Sequence, residues 1–154
     1  IERDAGEIRV RVFNPDSRGY GSSHTVIETI TDDSPFIVDS LTMQLNTLGQ
    51  GVHVKLHSVI GIERNDKGWI TALGDSGRTE SWTHFEIPRV LGTKKLAEIE
   101  SLVRETLEDV RCAVTDWPKM LERLRQSAES LRQHSKADDA GEVQRRHVSA
   151  VLFA

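Results

Sequence analysis

The stretch DDSPFIVDS, Asp32 to Ser40, sets two carboxylates, a hydroxyl and a proline directly before an apolar run. If that run begins a helix, its start offers unpaired N–H groups at the positive end of the helix dipole. Ser34 suits the N-cap and Pro35 the first helical position, which leaves the amides of Phe36 and Ile37 to hold an anion. Asp32 and Asp33 repel a phosphate but suit a ligand that carries an ammonium beside its carboxylate. A free amino acid has that pair of charges. The plainer reading, favoured here, is a well-capped helix whose acids match the dipole.

Other residues of the right type are spaced against chemistry. His53 and His57 fall on one face of an extended segment, but four residues of strand hold their Cα atoms about 13 Å apart, so they share no metal by themselves. A cluster of His57, His84 and Glu86 needs a neighbouring strand, and polar cross-strand pairing explains it as well. Glu98, Glu100, Glu105, Glu108 and Asp109 read as the solvated face of a helix. Cys112, the only cysteine, has no local histidine and reads as a buried or half-buried thiol. No catalytic residue and no metal site are assigned.

The elements that would position these residues follow from periodicity. Ile8, Val10 and Val12 alternate with Arg9 and Arg11 as in a half-buried strand, and HTVIETIT, His24 to Thr31, is a second. Ile37, Leu41, Leu45 and Leu48 form one stripe of a helix from about Pro35 to Leu48, with Gly49 at its C-terminus. Val52, Val54, Leu56, Ser58, Ile60 and Ile62 alternate as a long strand with one face inward. NDKG turns the chain into WITAL, and WTHFEI makes a further strand. From Lys95 onward Leu96, Ile99, Val103, Leu107, Val110 and Val114 keep helical spacing. Beyond Trp117-Pro118 the spacing resumes through Leu121, Leu124, Ala128 and Leu131, so the proline kinks one helix or starts another. Each helix has a single apolar stripe, so the economical packing is α+β, a ferredoxin-like antiparallel sheet with two helices on one face. The second helix is long and is extended by a C-terminal helix. A ferredoxin-like unit ends in a strand that this order lacks, and Ile8 to Phe13 is expected to fill that edge, antiparallel to His24 to Thr31.

Composition narrows the classes. With 154 residues, 37% hydrophobic and 29% charged, the chain can bury a core. A net charge of −4, with three tryptophans, one tyrosine and four phenylalanines, argues against a nucleic-acid-binding sheet, which needs a basic surface and stacking aromatics. No run approaches the roughly 18 apolar residues of a membrane span. One cysteine and no signal peptide suggest a cytoplasmic setting, and the missing initiator methionine suggests a segment of a longer polypeptide. Neither G-x-G-x-x-G nor G-x-x-x-x-G-K occurs, so no nucleotide motif is present.

DDSPFIVDSLTMQLNTLG, VHVKLHSVIGIERND, ESWTHFEIPR and LAEIESLVRETLEDVRCAVTDWPKM, in that order, resemble the N-terminal ACT-like region of the large bacterial NAD-specific glutamate dehydrogenases. The resemblance covers roughly residues 24–125. It implies a noncatalytic regulatory or architectural segment that binds no cofactor itself, with NAD and the catalytic lysines elsewhere in the parent. ACT domains that bind amino acids use the loop between first strand and first helix, which would assign Asp32, Asp33, Ser34, Phe36 and Ile37 to an effector. Phe36, however, stands where such loops place glycine. The expected organisation is a leading strand and linker over 1–23, an ACT-like domain over 24–116, a helical extension over 117–134 and a linker and tail over 135–154. The stripe Leu121, Leu124, Ala128 and Leu131 outruns a small sheet, so it is expected to meet a second subunit or a downstream domain. A stand-alone ferredoxin-like module binding a small ligand or a protein partner is the alternative.

Overall fold

The computed structural model describes residues 1–15, 21–74 and 77–138. The chain divides into two compact units, Ile1–Thr115 and Asp116–Ala154. In the first unit β1 (Arg9–Phe13), β2 (Thr25–Asp32), β3 (Val54–Arg64), β4 (Ile70–Gly74) and β5 (Arg78–Ile87) form one antiparallel sheet in the order β1-β2-β5-β3-β4. Two helices accompany it, α1 (Ile37–Thr47) and α2 (Thr93–Asp138), the latter continuing into the second unit. The architecture is the expected ferredoxin/ACT-like α+β fold. β1 pairs antiparallel with β2, Arg9 opposite Ile30 and Phe13 opposite Val26, so the leading strand fills the edge that the C-terminal half leaves vacant.

The core explains why this arrangement is the stable one. Ile8 and Val12 beside β1 and on it, Ile27 on β2, and Phe85 and Ile87 on β5 meet Ile37, Leu41 and Leu45 of α1 and Ile99, Val103, Leu107 and Val110 of α2. The alternation of the strands and the 3–4 spacing of the helices thus converge on one layer. Polar groups close the seams. Thr29 and Thr83, opposite each other on β2 and β5, share a hydroxyl hydrogen bond of 2.7 Å. The Thr25 hydroxyl donates to Asn14 Oδ1 at 2.6 Å, and Asn14 Nδ2 donates to the Val90 carbonyl at 2.8 Å. From α2, Arg104 Nη1 donates to the Ile8 carbonyl at 2.7 Å and Arg111 Nη1 to that of Gly6 at 3.0 Å, which holds the chain leading into β1.

Several expectations are corrected. α1 begins at Ile37, its N-cap is Phe36, and no side chain caps it, so Ser34 is not the N-cap. The reason lies in β2, which stays paired to β5 as far as Asp32, while the Asp33 N–H extends that contact by donating to the Thr79 carbonyl at 3.0 Å. The chain then turns abruptly, and Phe36 takes a left-handed φ of 72°, a conformation that suits glycine and strains a residue with a Cβ by about 1–2 kcal/mol. α2 is continuous through Pro118 as far as Asp138, so the expected extension is part of α2 and Ser135 to Asp138 belong to the helix; residues 139–154 lie outside the described residues. Cys112 is exposed. The inward face expected of β3 is not formed either: Leu56 is 60% and Val59 50% exposed, and only Ile62 on that strand is buried. The core draws on β1, β2 and β5 and on no residue of β3.

Candidate functional site

The β2–α1 loop lies beside a cavity of about 120 Å³ whose lining includes Thr31, Asp33, Ser34 and Ile37, together with Leu107 and Arg111 from α2. Two features distinguish it. Thr31 is buried, yet its hydroxyl has no hydrogen-bond partner among the described residues, and a buried hydroxyl without a partner is costly. Asp32 also lines the cavity, but its carboxylate accepts a hydrogen bond of 2.7 Å from Arg3 Nη2. Asp33 and Arg111 are exposed. Phe36, 66% exposed, does not line the cavity.

That Arg3 contact belongs to a network that sequence reasoning missed. Arg3 is only 2% exposed and donates through Nη1 to Glu80 Oε1 at 2.9 Å and through Nε to the Glu7 carbonyl at 2.8 Å. Arg64 grips the same carboxylate with two bonds, Nε to Oε1 at 2.8 Å and Nη2 to Oε2 at 2.9 Å, a bidentate geometry that neutral donors do not match. Trp82 Nε1 adds a third donor residue at 3.1 Å. Arg64 Nη1 donates to the carbonyls of Ile1 and Gly68, and the Arg3 N–H donates to Gly68. The first residues are therefore strapped across the β3–β4 turn. Burial pushes the Glu80 carboxyl up, but the hydrogen bonds from Arg64 and Trp82 and the charges of Arg3 and Arg64 outweigh it and hold it below its ordinary value. The only sequence signal was Glu80 alternating with Trp82 on one strand face, since its partners sit at distant positions.

The histidines separate. His57 Nε2 contacts Ser81 Oγ at 2.8 Å, opposite Thr83 on the helix side of the sheet. His84 lies on the other face, with Nε2 3.3 Å from Glu86 and Nδ1 3.6 Å from Glu28. The cluster of His57, His84 and Glu86 therefore does not form. Glu86 is instead met by the Ser22 hydroxyl at 2.6 Å and by His24 Nδ1 at 3.3 Å, and the His24 ring stacks on His53 with centroids 4.5 Å apart. No group of three or more His, Cys, Asp or Glu among the described residues is arranged to hold a metal ion. The Ser22 hydrogen bond, opposed by burial and aided by His84 and His24, lowers the Glu86 carboxyl. Both Glu80 and Glu86 thus fall below their ordinary 4.5. The stability they contribute is complete above that value and is withdrawn as pH falls below it through their folded values. Urea unfolding followed from pH 6 downward should show stability falling below about pH 4.5, and Glu86→Gln should flatten that fall; an unchanged acid limb would contradict the assignment of Glu86.

The family model for the glutamate dehydrogenase ACT1 domain matches residues 1–103. The chain belongs to this family. The match takes in β1. The chain is 34% identical over 135 residues to an NAD-specific glutamate dehydrogenase of Pseudomonas aeruginosa, covering 82% of the chain and 8% of that protein. It is 34% identical to one from Halomonas elongata, covering 80% of the chain and 8% of the relative. To one from Mycobacterium tuberculosis it is 28% identical, covering 82% and 8%. The chain therefore spans about 8% of the length of these curated relatives. No solved structure matches it significantly. No helix among the described residues is long and apolar enough to cross a membrane.

Proposed function

We propose that the chain is a noncatalytic assembly module of an NAD-dependent glutamate dehydrogenase, in which the distal half of α2 packs on a neighbouring helix of the enzyme. NAD and the reacting groups then belong to other parts of the parent. The observation that carries this reading is the stripe on α2 within the second unit. Leu124 is 51% and Leu131 63% exposed, Trp117 56% and Met120 53%, while Leu121 and Ala128 are half-buried. Trp117, Leu121, Leu124, Ala128 and Leu131 alternate spacings of four and three, the seam of a left-handed helix pair. Apolar side chains in register at those positions gain most when a second helix covers them. Self-association of residues 1–154 in sedimentation equilibrium is expected, and Leu124→Glu with Leu131→Glu should abolish it. A monomer at high concentration would remove the need for a partner.

A second reading, effector binding, rests on the unpartnered Thr31 hydroxyl in the cavity at the start of α1. A free amino acid would place its carboxylate toward Arg111 and the Ile37 amide, its ammonium toward Asp33, and a polar atom on Thr31. Calorimetric titration with a panel of amino acids tests it. Saturable binding that Asp33→Asn weakens would establish the sensor. If the cavity takes no ligand, Thr31→Val should raise stability by about 1 kcal/mol, because it removes a buried hydroxyl that bonds to nothing.

A further inference from the structure

The outer edge of β3 is unpaired over much of its length among the described residues. β5 pairs with it from Val54 to Ile62, whereas β4 reaches only Gly61 to Arg64 on the other side. Along Val54 to Ile60 the outer edge therefore has no neighbouring strand among the described residues. In an antiparallel ladder alternate residues turn their N–H and C=O groups away from the partner, so this edge presents a row of donors and acceptors ready for another strand. The side chains are ready too: Lys55, Leu56, His57, Ser58 and Val59 are all exposed, so both faces of an added strand would find neighbours. Edges that stay unpaired are blunted by shortness, proline, a bulge or several charges. Here the irregularity in register falls beyond the open stretch, between Glu63 and Arg64, the stretch has no proline, and Lys55 is its single formal charge.

We infer that the open edge of β3 takes up an extended segment of the same polypeptide from outside residues 1–154, added as a strand that sets a carboxylate across from Lys55 and apolar side chains across from Leu56 and Val59. The source follows from length, since residues 1–154 cover about 8% of the relatives. The chemistry follows from the edge. Directly opposed side chains on paired strands interact, so a carboxylate suits the position across from Lys55, and apolar side chains suit those across from Leu56 and Val59. A second copy of β3 fits less well. A parallel register sets Lys55 on Lys55 and His57 on His57, an antiparallel one centred on Leu56 sets Lys55 against His57, and one centred on His57 gives Lys55 a valine and no carboxylate.

The full-length chain is the material for the test. Hydrogen exchange of the peptide containing Val54 to Ile60 should be slow, and Lys55→Glu should speed it by ~10-fold, because carboxylate would face carboxylate, while the β2 peptide is unchanged. Carbodiimide, which joins an amine to a touching carboxylate, should link Lys55 to an Asp or Glu outside residues 1–154. Co-expressed light and heavy isotopic chains identify the source: linked peptides of a single isotope place the strand in the same chain, and mixed pairs overturn the proposal in favour of a second copy. Fast exchange at Val54 to Ile60 in the full-length chain also overturns it, as does protection that Lys55→Glu leaves intact with no carboxylate joined to Lys55.

Discussion

Glu80→Gln is expected to destabilise residues 1–154 by about 3–5 kcal/mol, the cost of leaving a buried charge without its counterion. Arg3 is 2% exposed and Arg64 11%, and Glu80 is the carboxylate that both guanidiniums share. The substitution keeps the shape and removes the negative charge, so two cations confront each other with only Asp32 left to Arg3. Arg11→Ala, at a guanidinium 62% exposed and 3.8 Å from Glu28, should change stability by no more than about 0.5 kcal/mol. Replacing Arg3, Glu80 and Arg64 together by Met, Leu and Met should recover most of the loss, because apolar groups of similar volume tolerate burial. The recovery should stop short of wild type, since Arg64 also holds the carbonyls of Ile1 and Gly68. Urea unfolding of the three variants beside wild type measures all of this. A change below 1 kcal/mol for Glu80→Gln would mean that the network only decorates the surface.

Phe85→Ala should cost about 3–5 kcal/mol, through lost transfer free energy and the cavity left behind. Phe85 is fully buried near the C-terminal end of β5, in the core cluster to which both helices contribute. Leu56→Ala, on the adjacent strand of the same sheet, should cost less than about 1 kcal/mol, because that side chain is 60% exposed. The contrast tests the asymmetry of the core: comparable losses at the two positions would show that β3 is covered in solution.

The same contrast marks what the sequence could and could not tell. Periodicity located every strand and both helices, and the missing final strand pointed to Ile8–Phe13 as the edge, because a vacant edge and an unassigned strand need each other. It could not tell that Val54, Leu56 and Ile60 alternate without a helix above them. Alternation records a preference for one face, and the register of β3 on β5 turns these residues to the face away from the helices, Leu56 opposite His84. Ser34 looked like a cap because Ser-Pro before an apolar run usually is one, but the Asp33 to Thr79 hydrogen bond belongs to sheet pairing that no local pattern encodes. Arg3, Arg64 and Glu80 were invisible for a related reason: the register of β3 on β5 and the strap of the first residues bring them together, and only the finished sheet fixes either.

The strap also sets the order in which the domain can be completed during synthesis. The N-terminal residues leave the ribosome first, yet their partners come last: Arg3 waits for Glu80, Gly6 for Arg111 and Ile8 for Arg104. β2 likewise has no inner neighbour until β5 has emerged. Until β5 is translated, β1 and β2 can form at most a lone hairpin, which is marginal in water. The nascent chain thus carries its most strand-prone residues unprotected through most of the domain's translation, and it closes in one late step in which the arginines of α2 fasten the segment that was made first.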